Sequence, residues 1–226
     1  RNLLMGSKTD DLMAGGAVGS WLAPNLTPGE GGLADWSDRD IAAYLKNGTA
    51  THARASGPMA EAVEYSLQHL TDEDIDAMVA YLRSLPARSS ETKTQAVDAV
   101  VAPNKASFTP WEYTAKRNLH QMQADASGGV LYEAACASCH GLSGKGSADG
   151  TYPALKDNVT LAPEQTANLV STILHGVTRE VGGIHTLMPG FGPDSAVQRL
   201  DDGQIARLAT YTTERFGGSG HKITAA

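Results

Sequence analysis

In Cys136-Ala137-Ser138-Cys139-His140 both the residue types and their spacing specify a chemistry. The order C-x-x-C-H suits covalent attachment of a haem. Two thiols one helical turn apart can each add to a porphyrin vinyl group. The histidine that follows is then carried under the iron as an axial ligand. The competing readings fit less well. A redox dithiol has no use for the histidine, and a disulfide between thiols this close would be strained. A zinc site would need two more ligands, and the chain has only 2 cysteines.

A second ligand is offered downstream by Leu187-Met188-Pro189-Gly190-Phe191. A thioether is the usual sixth ligand of electron-carrying cytochromes c and raises the reduction potential relative to bis-histidine ligation. A lone methionine is more often core filler. Here Pro189 and the neighbouring glycines argue against a helix and predict Met188 on a rigid loop. His185, three residues earlier, is the competing ligand. Tyr152-Pro153-Ala154-Leu155 reads as a loop that walls the haem edge, so Tyr152 and Leu155 are candidate contacts. Apolar Leu155, Leu169 and Leu187 would lower the local dielectric and disfavour the more charged ferric form.

The elements that must position these groups are helical. Ser37 is placed to cap a helix that begins at Asp38 and ends at Gly48, with Ile41, Tyr44 and Leu45 as its apolar face. Thr71-Asp72-Glu73-Asp74 opens a second helix, with Ile75, Met78, Val79 and Leu82 at helical spacing and a stop at Pro86. The acidic run is a helix start before it is a docking patch. Residues 1–35 read as loop, and another loop carries Gly57-Pro58-Met59. Residues 87–112 read as a linker, and Trp111 to Met122 as a short helix. Gly128 to His140 is predicted as one haem-bearing helix. Further helices run from Pro163 to Gly176 and from Asp201-Asp202 to Gly217-Gly218, leaving 219–226 as a tail. Gly128 is expected to let the haem-bearing helix cross closely against the last one at Leu208 and Tyr211.

The 226 residues allow one large or two small domains. Aromatic content is only 6%. A porphyrin would itself supply a large apolar piece of core. No apolar run reaches membrane-spanning length. Net charge is −7, almost all of it within residues 1–86. This argues against nucleic acid and anionic lipid as partners and suits steering toward a basic protein surface, although a merely soluble face fits equally well. His52, His69, His120, His175 and His221 read as surface residues, with His175 favoured at a helix C-terminus.

The two halves repeat one another. Asn25-Leu26-Thr27 matches Asn158-Val159-Thr160, and Gly48 matches Gly176 as a helix stop. The spacings onward to Met59 and Met188, and then to Tyr81 and Tyr211, differ by a single residue between the copies. Residues 1–86 thus read as a second haem-binding lobe without its C-x-x-C-H segment.

With these residues together, the chain resembles the multihaem cytochrome c subunits of membrane-associated bacterial dehydrogenases for alcohol, gluconate or sorbitol. The motifs are Trp21-Leu22-Ala23-Pro24-Asn25-Leu26-Thr27, Trp36-Ser37-Asp38, Gly57-Pro58-Met59, Cys136 to His140, and Leu187 to Phe191 followed by Phe216-Gly217. The resemblance covers nearly all of 1–218. It implies an all-α fold of two tandem class I cytochrome c-like domains. These are a lobe at 1–86 without its attachment motif and a complete monohaem domain at 113–218. Three haem motifs are typical and one is present. The chain is therefore expected to be a C-terminal part, with Arg1-Asn2 following a lost haem histidine and Met59 the axial ligand of that haem. The missing leader is expected to reflect processing.

The resemblance implies electron transfer by haem c, from a dehydrogenase catalytic subunit toward quinone or a terminal acceptor. Redox partner proteins and ubiquinone are the candidate partners. The expected location is the periplasm, on the periplasmic face of the inner membrane, with peripheral association and no transmembrane span. The alternative is a haem enzyme, a peroxidase or thiosulfate-oxidising cytochrome, whose sixth ligand must exchange. A haem sensor, releasing Met188 on binding a gas, is a third class.

Overall fold

A computed structural model describes residues 12–88, 126–162 and 165–217. The linker at 87–112 (beyond Arg88), the Trp111–Met122 helix, Arg1, Asn2, His120, Pro163, Gly218, His221 and the tail at 219–226 lie outside these residues. The chain divides into two compact units: Arg1–Thr94 with Arg179–His185, and Gln95–Thr178 with Thr186–Ala226.

In unit 1, β1 (Gly16–Val18) and β2 (Trp21–Ala23) pair antiparallel. The sequence reads as loop over 1–35, because strands of three residues leave no visible alternation. Helix α1 (Asp38–Asn47) starts where Ser37 accepts a hydrogen bond from the Asp40 amide. It stops at Gly48, whose positive φ of 65° closes the last turn on Tyr44 O. Two short strands, β3 (Thr49–Ala50) and β4 (Ala53–Arg54), then turn back on each other. Gly57-Pro58-Met59, expected in a loop, is the first turn of α2 (Gly57–Tyr65). Proline is tolerated in a first turn, where its missing N–H costs nothing. Helix α3 (Asp72–Ser84) begins with the capping box of Thr71 and Asp74. Leu33, Ile41, Val79 and Leu82 form the buried cluster between α1 and α3, with Leu26, Trp36 and Leu45 against it.

In unit 2, the expected single helix from Gly128 to His140 is two: α4 (Gly128–Ala135) and α5 (Ala137–His140). They join at Cys136, whose φ of −120° breaks the helical path although its amide still bonds Tyr132 O. Helix α6 (Thr166–His175) leads to β5 (Val177–Val181) and β6 (Ile184–Met188), and α7 (Asp202–Phe216) is last. Gly182 and Gly183, both with positive φ, make the two-residue turn between β5 and β6, the connection that matches strand twist in a hairpin. Residues 179–185 of that hairpin belong to unit 1. Leu131, Tyr132, Leu161, Val170, Ile205, Leu208 and Phe216 make the core of unit 2. At the crossing of α4 on α7, a Cβ on Gly128 would stand 2.3 Å from Arg207 O, so only glycine permits this approach.

The described residues are therefore mostly helical but include three two-stranded hairpins, which an all-α reading leaves out. The repeat has structural substance in each unit. Thr27 N donates to Asn25 Oδ1 at 2.9 Å, and Thr160 N donates to Asn158 Oδ1 at 3.0 Å. This is the same asparagine turn in both copies.

Candidate functional site

The short helix α5 follows from the hydrogen bonds that leave Cys136. The amides of Cys139 and His140 both donate to Cys136 O, at 3.2 and 2.9 Å, and Gly141 N donates to Ala137 O at 2.9 Å. One turn of helix thus carries both sulfurs and the imidazole. The Tyr132 hydroxyl, in a fully buried residue, donates to Gly141 O at 2.6 Å and ties the end of this turn to α4. Tyr132 also stacks at 5.1 Å from the Phe216 ring and 5.7 Å from that of Tyr211, so the turn rests on the interface between α4 and α7.

His140 is 9% exposed. Its Nδ1 lies 2.9 Å from Pro153 O. A carbonyl can only accept, so Nδ1 carries the proton and Nε2 keeps its lone pair for a metal. Burial lowers the His140 pKa from its ordinary 6.5, against the opposing pull of the Pro153 carbonyl. The loop that brings Pro153 there is folded by its own backbone. Gly146 N donates to His140 O, Ser147 N to Tyr152 O and Leu155 N to Gly144 O. Ser147 Oγ accepts from Tyr152 N.

Cys136 and Cys139 are unpaired and half-buried. Burial, then the neighbouring Cys139, pushes the Cys136 thiol up to about 11, which does not suit a reactive thiolate at neutral pH. Cys136, Leu155 and Met188 all border the same apolar cluster of unit 2. Met188 ends β6 rather than sitting in a free loop. The chain after it is pinned to the end of α6, where Phe191 N donates to Ile173 O at 2.8 Å and Gly192 N to Leu174 O at 3.0 Å. Two unpaired thiols, a neutral imidazole with its Nε2 free and a thioether at a rigid strand end make a donor set that fits haem c.

The remaining candidates divide. Leu169 is buried at 7%, whereas Leu187 is 65% exposed and cannot dry a haem pocket from within. Strand alternation explains it, because Leu187 and Met188 point to opposite sides. Tyr152 is 42% exposed and stands at the rim of its loop. His185, the competing ligand, is exposed, belongs to unit 1 and lies 3.8 Å from Glu180. Met59 is half-buried in the first turn of α2 in unit 1, where no cysteine is present. Sequence reading missed the Pro153 carbonyl and the Tyr132 tether. Both are contacts across a loop and a helix joint, for which the sequence offers only a proline and a tyrosine in suitable neighbourhoods.

A family model described as Cytochrome c matches residues 9–86 and 126–213. The chain is 44% identical over 226 residues to the fructose dehydrogenase cytochrome subunit of Gluconobacter japonicus, covering 100% of this chain and 46% of that protein. It is 31% identical over 197 residues to an alcohol dehydrogenase (quinone) cytochrome c subunit of Komagataeibacter europaeus, covering 85% and 39%. To the gluconate 2-dehydrogenase cytochrome c subunit of Pantoea cypripedii it is 31% identical over 211 residues, covering 92% and 43%. The chain spans less than half the length of these curated relatives.

Proposed function

The chain belongs to the cytochrome c family, and from that premise we propose that it passes single electrons from a dehydrogenase catalytic subunit toward quinone or a terminal acceptor. The observation that carries this reading is the His140 imidazole, oriented by Pro153 O on the same turn as both cysteines. When bound, haem c supplies a one-electron iron couple. Cys136 and Cys139 would hold the ring, and His140 would present Nε2 to the iron. Met188, which borders the same apolar cluster, would offer its sulfur, and Leu155 and Tyr152 are the proposed contacts to the ring. Leu155 and Leu169 exclude water from that core and so favour the less charged ferrous form. The Tyr132 tether and the pinned strand end keep both ligands in place, so little reorganisation accompanies electron transfer.

In unit 1, Met59 is the proposed sixth ligand of a second haem, supported by the family match over 9–86 and by the repeat of turn, helix and hairpin. The subunit's partners are a dehydrogenase catalytic subunit and redox proteins, with ubiquinone as a candidate acceptor. Its proposed place is the periplasmic side of the inner membrane. Among the described residues no helix is long and apolar enough to cross a membrane.

Met188→Ala tests the assignment. The haem should stay attached, because attachment needs only Cys136, Cys139 and His140. The low-spin spectrum should be lost and the reduction potential should fall. An unchanged spectrum and potential would give the ligand role to His185. A Met188 that leaves the iron readily in the unmodified protein would move the reading to a haem enzyme or sensor.

A further inference from the structure

The hairpin of β5 and β6 ends at Met188, and the contacts that order it lie at its tip. A two-stranded hairpin by itself is only marginally stable in water. This one buries Arg179 of β5 and no residue of β6. Arg179 is 5% exposed, and residues 179–185 belong with unit 1. Its Nη1 donates to Gly48 O at 3.1 Å and to Ala55 O at 3.0 Å, and its Nη2 to Thr49 Oγ1 at 3.4 Å. The slot is closed around the guanidinium, since a Cβ on Gly48 would stand 2.7 Å from Nη1. All of these acceptors are neutral. The ion pairs among the described residues are Lys46–Asp72, Arg83–Asp38 and His185–Glu180, and none includes Arg179.

A buried cation with neutral acceptors and an unanswered Nε is a poor source of stability. What its planar, pre-organised fork supplies is a fixed position, because two carbonyls are met in one geometry. Gln68 holds the same tip from a second side. Its Nε2 donates to Glu180 O at 3.0 Å, and its Oε1 accepts from Gly182 N at 3.0 Å. Glu64 Oε2 accepts from Glu180 N at 3.3 Å, and Gln68 Nε2 also donates to Glu64 O at 2.6 Å, so the two side chains grip the tip together. The other end of the hairpin is set by close backbone approach. Gly176 has a φ of 73°, and a Cβ there would stand 2.3 Å from Met188 O. With its tip and its base both held, the strand that leads to Met188 has little freedom to lift.

We propose that Arg179 and Gln68 are positioning residues for Met188: by holding the tip of its hairpin they keep the thioether on the iron and oppose its replacement by other ligands. This rests on the reading of Met188 as the sixth ligand. The sulfur can leave through rotation of its own side chain or through a shift of β6, and an anchored tip removes the second route. Local opening of a weakly held element is the usual way a buried contact is lost. An outside ligand binds only the open form, so its apparent affinity is its intrinsic affinity scaled by the open fraction. The anchor is therefore read directly in how tightly such a ligand binds.

The test uses the full chain with its haem attached, as wild type, R179Q, R179K, Q68A and M188A. Imidazole is the probe. Its binding to ferric haem is followed by loss of the weak methionine–iron charge-transfer band, with thermal melts run beside it. M188A shows which part of that band belongs to Met188 and gives the imidazole affinity with no sulfur to displace. Imidazole should bind roughly tenfold more tightly to R179Q than to wild type, the factor expected when a charged hydrogen bond is lost. R179K keeps the charge but not the fork and should fall between the two. Gln68 carries no charge, so tighter imidazole binding in Q68A cannot come from altered electrostatics. The low-spin spectrum without imidazole should persist in all three anchor variants. Imidazole affinity equal to wild type in R179Q and Q68A, even with a lowered melting temperature, would make the anchor purely structural and overturn the proposal. If R179Q does not fold, R179K and Q68A decide by the same comparison. A charge-transfer band that survives in M188A would overturn the reading of Met188, and the proposal with it.

Discussion

At the scale of residues, the candidate haem site depends on a few hydrogen bonds that hold reactive groups in one tautomer and one place. Tyr132→Phe removes the donor to Gly141 O from a fully buried position. It should cost roughly 1–3 kcal/mol, because a partner carbonyl is left unanswered, and broaden the low-spin spectrum. Thermal melts with haem absorbance read both, and an unchanged melt would mean that water replaces the hydroxyl. Asp40 gives a pH prediction for unit 1. Hydrogen bonds from Thr51 and Ser37 hold its carboxyl below the ordinary 3.8. The unfolded chain therefore takes up this proton first, so Asp40 stabilises fully above that value and its contribution is lost as pH falls through the folded pKa. The difference in urea midpoint between wild type and D40N should shrink as pH drops below about 3.8. A difference independent of pH would remove the charge from the argument.

At the scale of elements, unit 2 is built on the crossing of α4 and α7. Leu208 and Ala209 are fully buried there, and Gly128 lies against backbone. Leu208→Ala should cost about 2–5 kcal/mol. Gly128→Ala sets two effects against each other. Helix propensity favours alanine by about 1 kcal/mol. The new Cβ would stand 2.3 Å from Arg207 O, which cannot rotate away. Overpacking costs ~1–3 kcal/mol, so the net effect should be destabilising. A more stable G128A variant would mean that the helices can separate without loss.

At the scale of the whole molecule, residues 113–218 contain the C-x-x-C-H turn, Met188 and the core of unit 2. Expressed alone in a host that matures cytochromes c, this segment should bind one haem and give a low-spin spectrum. The hairpin tip behaves differently, because its residues 179–185 bond within unit 1. Glu180 N donates to Glu64, Gly182 N donates to Gln68 Oε1, and Gln68 Nε2 donates to Glu180 O. Without those partners the tip should be cut by protease far faster than in the full chain. Equal cutting rates would show that the tip is ordered by its own turn. Haem uptake with a molten spectrum would show that the segment depends on residues outside it.

Local chemistry was legible in the sequence. Ser37, Thr71 and Asp201 cap their helices through side chains within three residues, and C-x-x-C-H needs only one turn of helix. The repeat could be read because both copies keep the same asparagine turn, helix-ending glycine and methionine. Contacts between distant segments decided the rest. The Pro153 carbonyl selects the His140 tautomer, although nothing in the neighbouring residues of either one announces it. The break at Cys136 and the helix through Met59 followed packing and first-turn tolerance rather than propensity. Strands of two to five residues are too short for alternation to show, so the hairpins were missed. Nothing in the sequence singles out Arg179. Only the folded chain places its guanidinium against Gly48 and Ala55, because burial and charge balance depend on residues that meet in space.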